Sequence, residues 1–199
     1  MSFSSFQNMT AVFQQIIPTD QLKIYLDSAF SSQNKEHRVL IRQHIIKTQS
    51  DYINTENEKK SILNLDALPC LNSLFISISH NQKIGGYVTC TRPIGFDLEL
   101  VDRIHTKAIE RISSREDILS CPDFKYLWGV KEACFKLVSQ NPNIFSSISS
   151  LSEIETISWV ELGFNQYQFF TVYKSKNLTG LVRIEGGEKR PLQQAGMAP

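Results

Sequence analysis

The sequence predicts an α+β fold with mostly antiparallel strands, not a doubly wound sheet. Two observations predict it. Helical patterning followed by strand patterning occurs twice along the 199 residues, with the change of half near residue 92. The clearest strand-like run alternates residue by residue in the way a sheet with one covered face requires. No residue-level repeat links the halves.

In chain order, Thr19 and Asp20 suit the cap of a short amphipathic helix carrying Leu22, Leu26 and Ala29. A second helix is expected from about Lys35 to Thr48, with apolar positions at Val39, Ile41, Ile45 and Ile46. Residues 50 to 66 are polar and fit loop or helix equally. Three strands follow, at Leu74 to Ser79, Gly86 to Thr91 and Ile94 to Val101. Helical signals return from Thr106 to Ser120, and Pro122 opens a longer helix reaching about Ser139, a position where proline is tolerated. Strand patterning recurs at Thr156 to Leu162, Gln168 to Tyr173 and Leu178 to Ile184. The polar stretch from Gly186 to Pro199 is expected to be a flexible tail.

Composition narrows the function classes. With 41% hydrophobic and 21% charged residues the chain is ordinary globular protein. A formal net charge of +1 supplies no global basic field for nucleic acid. Cys70, Cys90, Cys121 and Cys134 lack C-x-x-C spacing, which argues against zinc, and two of them sit in apolar runs as small core residues. No secretory pattern opens the chain and no apolar run approaches the roughly 20 residues that span a bilayer. The expectation is a soluble cytoplasmic protein.

The run Ile94-Gly95-Phe96-Asp97-Leu98-Glu99-Leu100 is the most informative strand. Ile94, Phe96, Leu98 and Leu100 define one buried face, so Asp97 and Glu99 share the other, about 7 Å apart along the strand. Gly95 on that face is expected to leave open space beside the carboxylates. Two like charges this close repel unless a cation lies between them, and hard oxygen ligands suit Mg²⁺. A lone D-x-E is also what an ordinary solvated strand face looks like.

The segment Phe124 to Leu137 has helical periodicity. Leu127, Val130, Cys134 and Leu137 form a core stripe, while Lys125, Gly129, Glu132 and Lys136 form a second stripe on another face. Gly129 would leave room for a ligand between Lys125 and Glu132. Carboxylate and ammonium groups beside a gap suit a metal-bound polyphosphate. A Glu–Lys pair on a solvated helix face is the plainer alternative.

Taken together, these features resemble the phosphopantetheinyl transferase superfamily. Ile94 through Glu99 is similar to its (V/I)-G-(V/I/F)-D-(V/I/L)-E motif, Trp128 through Lys136 to its (F/W)-(S/A/G)-x-K-E-(A/S)-x-x-K motif, and Ser77-Ile78-Ser79-His80 to its S-x-S-H signature. All three stand in family order, and the likeness covers residues 36 to 139 well and the remainder loosely. The type it resembles is the two-lobed, single-chain one represented by the surfactin-synthetase activator. That type implies two similar α/β lobes arranged as a pseudo-dimer in a monomer, each with a small sheet packed on helices. Residues 1–92 would form the nucleotide-side lobe, 93–185 the lobe with the metal and catalytic motifs, and 186–199 the tail.

The resemblance also implies roles. Asp97, Glu99 and Glu132 would hold Mg²⁺, with Mn²⁺ as a substitute. Lys131 and Lys136 would contact the phosphates of coenzyme A, and Ser79 and His80 its 3′-phosphate end. Arg38, in Glu36-His37-Arg38, would meet the nucleotide phosphates, with Arg42 one turn further on the same face or else an ordinary surface cation. Glu132 would serve as base and Lys136 would assist the leaving group. The partner implied is an apo acyl or peptidyl carrier protein, with no nucleic acid and no membrane. His80 reads either as a core histidine or as one leaving the sheet at a strand end. One departure stands out: relatives carry G-K-P before S-x-S-H, and Leu65-Asp66-Ala67-Leu68-Pro69-Cys70 keeps only the proline. Ile112-Ser113 likewise replaces the usual F-(F/S)-S near Arg111 and Glu116. A binding module of the same fold, holding coenzyme A or a carrier protein without turnover, is the alternative function.

Overall fold

The computed structural model describes residues 22–66, 69, 71, 74–100, 103–120, 125–141, 148–163, 166–173 and 176–185. The expected cap at Thr19 and Asp20, Pro122, Cys70, Cys121 and the tail 186–199 lie outside them. The fold mixes helix and sheet. Strands β1 (Lys23–Asp27), β2 (Phe75–His80) and β3 (Gly85–Cys90) form an antiparallel sheet in the order β1-β3-β2. Strands β4 (Gly95–Leu100), β5 (Glu155–Gly163), β6 (Gln166–Tyr173) and β7 (Lys176–Glu185) form a second sheet in the order β4-β7-β6-β5. Only its β4–β7 pairing is parallel. Helices α1 (His37–Thr48) and α2 (Glu56–Leu63) precede β2, and α3 (Thr106–Ile112), α4 (Arg115–Ser120) and α5 (Tyr126–Gln140) precede β5. No helix among the described residues is long and apolar enough to cross a membrane.

Three elements add to expectation, two by differing from it and one by deciding a stretch that fitted either state. The first is β1, where the sequence predicts a helix. Its residues bury with period two: Ile24 and Leu26 lie against Val88, Cys90 and Phe96, whereas Tyr25 turns the other way and stacks on Tyr87 with ring centroids 4.7 Å apart. A helix would set Ile24 and Leu26 about 200° apart and could not bring both to one cluster. The second is α2, in the stretch that fitted loop or helix. Thr55 and Glu58 form a reciprocal capping box, each side chain accepting from the other's backbone N–H at 3.1 Å. The third is the expected continuous helix from Thr106 to Ser120, which breaks at Ser113 and Ser114. Ser114 restarts it as α4, its hydroxyl accepting from the Asp117 N–H and its own N–H donating to Asp117.

The two sheets meet where β2 lies beside β4. The Ser77 hydroxyl accepts from the Phe96 N–H at 3.0 Å, and the Ser79 hydroxyl accepts from the Leu98 N–H at 3.1 Å. Side chains thus do for this edge of β4 what a neighbouring strand's carbonyls would do. Val88 and Cys90 of β3 and Ile94, Phe96 and Leu98 form one buried cluster behind the seam. Ile41 and Ile45 of α1 pack with Phe30, Ile62, Ile76 and Tyr87, and Cys134, Leu137 and Val138 of α5 pack with Ile154. The apolar face expected of β4 is buried, at Ile94, Phe96, Leu98 and Leu100, but the other face is covered as well, with Gly95 and Asp97 buried under α5. The core stripe of α5 holds, with Leu127, Val130, Cys134 and Leu137 fully buried.

Gly95 corrects an expectation. The space beside it is not open to ligand; a Cβ there would land on the Ala133 carbonyl and against the Leu137 side chain. Glycine lets α5 lie directly on β4, and that contact sets how far Glu132 and Lys136 stand from Asp97. Gly129 is buried as well. Gly95→Ala is expected to lower stability by about 1–3 kcal/mol, as overpacking a tight contact does, read from the urea unfolding midpoint. An unchanged midpoint would mean that α5 does not bear on β4 at this point.

Candidate active site

A cleft of about 360 Å³ opens between α1, the end of β2 and α5, lined by Arg38, Ile41, Arg42, Ile78, Ser79, His80 and Lys136. Helical spacing puts Arg38, Ile41 and Arg42 on one face of α1. Ile41 anchors that face in the core while the flanking guanidinium groups reach the cleft. Arg42 is only 5% exposed, and burial followed by the charge of Arg38 lowers its pKa to about 10. Arg38 also donates to the Leu65 carbonyl, tying α1 to the stretch that follows α2.

His80 is neither a core histidine nor out of the sheet: it is the last paired residue of its strand, opposite Gly85. It ends β2, is exposed, and meets His37 edge-on with the two Nε2 atoms 3.2 Å apart. His37 Nδ1 donates to the Asn34 carbonyl at 2.7 Å, so in the neutral pair its Nε2 must accept and His80 Nε2 must donate. Burial, then the charges of His37, Lys136 and Arg38, hold the His80 imidazole below its ordinary pKa. Every one of these groups is cationic or can become so, and the crowding lowers as soon as an anion enters.

The other side of Lys136 has the opposite sign. Its ammonium donates to Asp97 Oδ1 at 2.5 Å, to the Ser79 hydroxyl at 3.0 Å and to the Phe96 carbonyl at 3.4 Å. Asp97 is 3% exposed, and its Oδ2 is buried without a hydrogen-bond partner. Glu99 and Glu132 are half-buried beside it. Burial, then the charge of Asp97, pushes the Glu99 carboxyl up to about 7, and the same two causes raise Glu132. An orphaned buried carboxylate oxygen flanked by two strained carboxyl groups suits a hard divalent cation. Among the described residues no three His, Cys, Asp or Glu side chains already stand as a ligand cluster. The cation at Asp97 here is Lys136.

Of the residues singled out in the sequence, Arg38, Arg42, Ser79, His80 and Lys136 come together around the cleft, and Asp97, Glu99 and Glu132 gather next to it. Two roles need correction. Lys131 does not face the cleft. It is fully buried, its ammonium 2.7 Å from Asp117 and 2.5 Å from the Ile154 carbonyl, so it ties α5 to α4 and the start of β5 and has no charge to offer a phosphate. Ser79 lines the cleft, yet its hydroxyl is spent: its proton goes to Asp97 at 2.9 Å, and its oxygen accepts from Leu98 and Lys136. It positions Asp97 and Lys136 and has no donor left for a phosphate. His37 was missed as a site residue, although its place in the first turn of α1, next to Arg38, was visible. Asp117 was missed as the partner of Lys131; the Ser114-x-x-Asp117 cap was the available signal.

The Lys131–Asp117 pair is buried on both sides, so losing one member strands the other. Asp117→Ala should destabilise the fold by about 3–5 kcal/mol, and adding Lys131→Met should return much of it. Chemical denaturation of the single and double variants checks this; a double variant no more stable than the single would mean the pair is not coupled. Glu99 gives a second expectation with a sign. Its proton is held more tightly in the fold than in the unfolded chain, so stability falls as pH rises from about 4.5 to about 7. Glu99→Gln should therefore melt higher than the parent protein at pH 8 and match it near pH 4. Identical thermal midpoints at pH 8 would remove the strain assigned to Glu99.

Compared with known proteins, the sequence matches no protein-family model and no curated protein, so the chemistry of the site rests on its own residues.

Proposed function

We propose that the protein is a 4′-phosphopantetheinyl transferase, moving the phosphopantetheine arm of coenzyme A to a serine of an apo carrier protein with release of 3′,5′-ADP. One observation carries the reading: a cationic cleft and a carboxylate group share a wall, joined by Lys136. A substrate whose phosphates need cations and whose reacting pyrophosphate needs a divalent metal calls for both, side by side. The ordered motifs of the sequence point to the same reaction.

In this reading Arg38, Arg42 and His80 take the nucleotide phosphates, the guanidinium groups by paired N–H donors. Asp97, Glu99 and Glu132 would hold Mg²⁺, or Mn²⁺ in its place, which when bound draws negative charge from the pyrophosphate oxygens. Glu132, whose proton affinity burial and the charge of Asp97 raise, is suited to accept the serine proton. Lys136 stands within reach of the charge that grows on the departing phosphate. Ser79 and Gly95 are positioning residues, one fixing Asp97 by a hydrogen bond and the other fixing the approach of α5. Positioning and charge neutralisation supply most of the acceleration in such a transfer.

Incubation with an apo carrier protein, Mg²⁺ and coenzyme A should add one phosphopantetheine group to the carrier, read by intact mass. Asp97→Ala should abolish the transfer, and Glu132→Gln should slow it by about two orders of magnitude or more, the size of losing a base or an electrostatic group. Coenzyme A bound without any transfer would instead identify a binding module. Neither binding nor transfer would overturn both readings.

A further inference from the structure

Lys136 belongs to two places at once. Its ammonium is bonded to Asp97, yet its side chain is 25% exposed and lines the cleft, whereas the Asp97 side chain is 4% exposed. Asp97 cannot follow a ligand out of the sheet, because Ser79 and the packing of β4 hold it. Lys136 can move, because a flexible four-carbon stem carries its charge. While the ammonium neutralises Asp97, the cleft is served by Arg38, Arg42 and His80 with little help from Lys136.

We propose that Lys136 is a two-position cation that couples the carboxylate site to the cleft. A divalent cation entering at Asp97, where Oδ2 has no partner, meets a competing ammonium on Oδ1 2.5 Å away and displaces it. The displaced ammonium is repelled by the incoming charge and moves along its exposed side toward the cleft, where an anion can receive it. The cleft thereby gains a full positive charge only when the carboxylates are loaded. By linkage the reverse also holds: an anion that draws Lys136 into the cleft uncovers Asp97 and tightens cation binding by the same factor. The groups facing Lys136 favour this arrangement. Arg38, which lines the same cleft, repels it while no anion is present, and Glu99 and Glu132 hold it on the carboxylate side. The proposal rests on reading Asp97 as a cation ligand, and not on the transfer reaction.

Mn²⁺ alone serves as the cation probe, titrated by electron paramagnetic resonance of the free ion with no nucleotide present. Sulfate, which binds Mn²⁺ weakly, serves as the anion probe, followed by the histidine ring signals in NMR. In the parent protein sulfate should bind about tenfold more tightly once Mn²⁺ is bound, within the usual range of coupling between two sites. Lys136→Met should bind Mn²⁺ about tenfold more tightly than the parent and should lose the coupling to sulfate. Asp97→Asn should lose the Mn²⁺ site. Equal or weaker Mn²⁺ binding by Lys136→Met overturns the proposal, as does coupling that persists without the ammonium, which would mean that cation and anion touch directly. Should Lys136→Met fail to fold, the parent protein still decides: sulfate affinity indifferent to Mn²⁺ overturns the coupling. A positive result here with no carrier modification would leave the coupling standing and remove only the transferase reading.

Discussion

The structure turns on two serine hydroxyls. β4 is paired with β7 along one edge, and on the other Phe96 and Leu98 point buried N–H groups at β2. A buried donor left without a partner costs about 1–3 kcal/mol, so the meeting of the two sheets requires acceptors at a spacing of two residues. Ser77 and Ser79 provide them, in register, from a strand whose intervening residues serve the core of the other sheet. Moving β2 by one residue would put Ile76 and Ile78 against those N–H groups. The serines therefore fix which residue of β2 faces which residue of β4, and Ser79 then holds Asp97 by its remaining proton. His80, one residue further along, is delivered to the rim of the cleft by the same registration.

From that seam outward, charges are sorted by sign. Arg38, Arg42 and the histidine pair crowd one side; Asp97, Glu99 and Glu132 crowd the other. Each group is internally unfavourable: Arg42 and His80 give up protons more readily than they would alone, and the glutamates hold theirs more tightly. At Lys136 the two groups neutralise each other directly. Folding stabilises this arrangement elsewhere, through apolar clusters on either side of the seam and the buried Lys131–Asp117 pair. A site strained in both signs is arranged for a ligand that carries both.

Much of this was legible in the sequence, for identifiable reasons. The alternation in Ile94 to Leu100 and the three–four stepping from Leu127 to Leu137 are long enough to fix a face, so the apolar and chemical sides of β4 and α5 are separable in the sequence alone. β1 was misread because Leu22 and Leu26 mimic a helical stripe. The decisive fact, that Tyr25 and Leu26 bury against different clusters, is tertiary. The capping box at Thr55 and Glu58 was present in the sequence and would have decided the stretch that fitted loop or helix. Lys131 and Lys136 look alike as helix residues. Only the packing of α4 tells which one is sealed away with a carboxylate and which one stands at the cleft. Gly95 reads the same as a gap or as a close contact until the helix that touches it is placed.

The sorting of charge has a consequence for the response to ionic strength. Mobile ions screen repulsion within the cationic wall and within the carboxylate group, and they do so most where those groups reach solvent. Adding salt therefore relieves both internal strains of the empty protein while costing little at the buried Lys131–Asp117 pair. The same ions compete for any phosphate the cleft would hold. The empty chain should grow firmer across the range of salt in which its grip on an anion loosens, so the buffer that best preserves the protein on the bench is a poor one in which to look for its ligand.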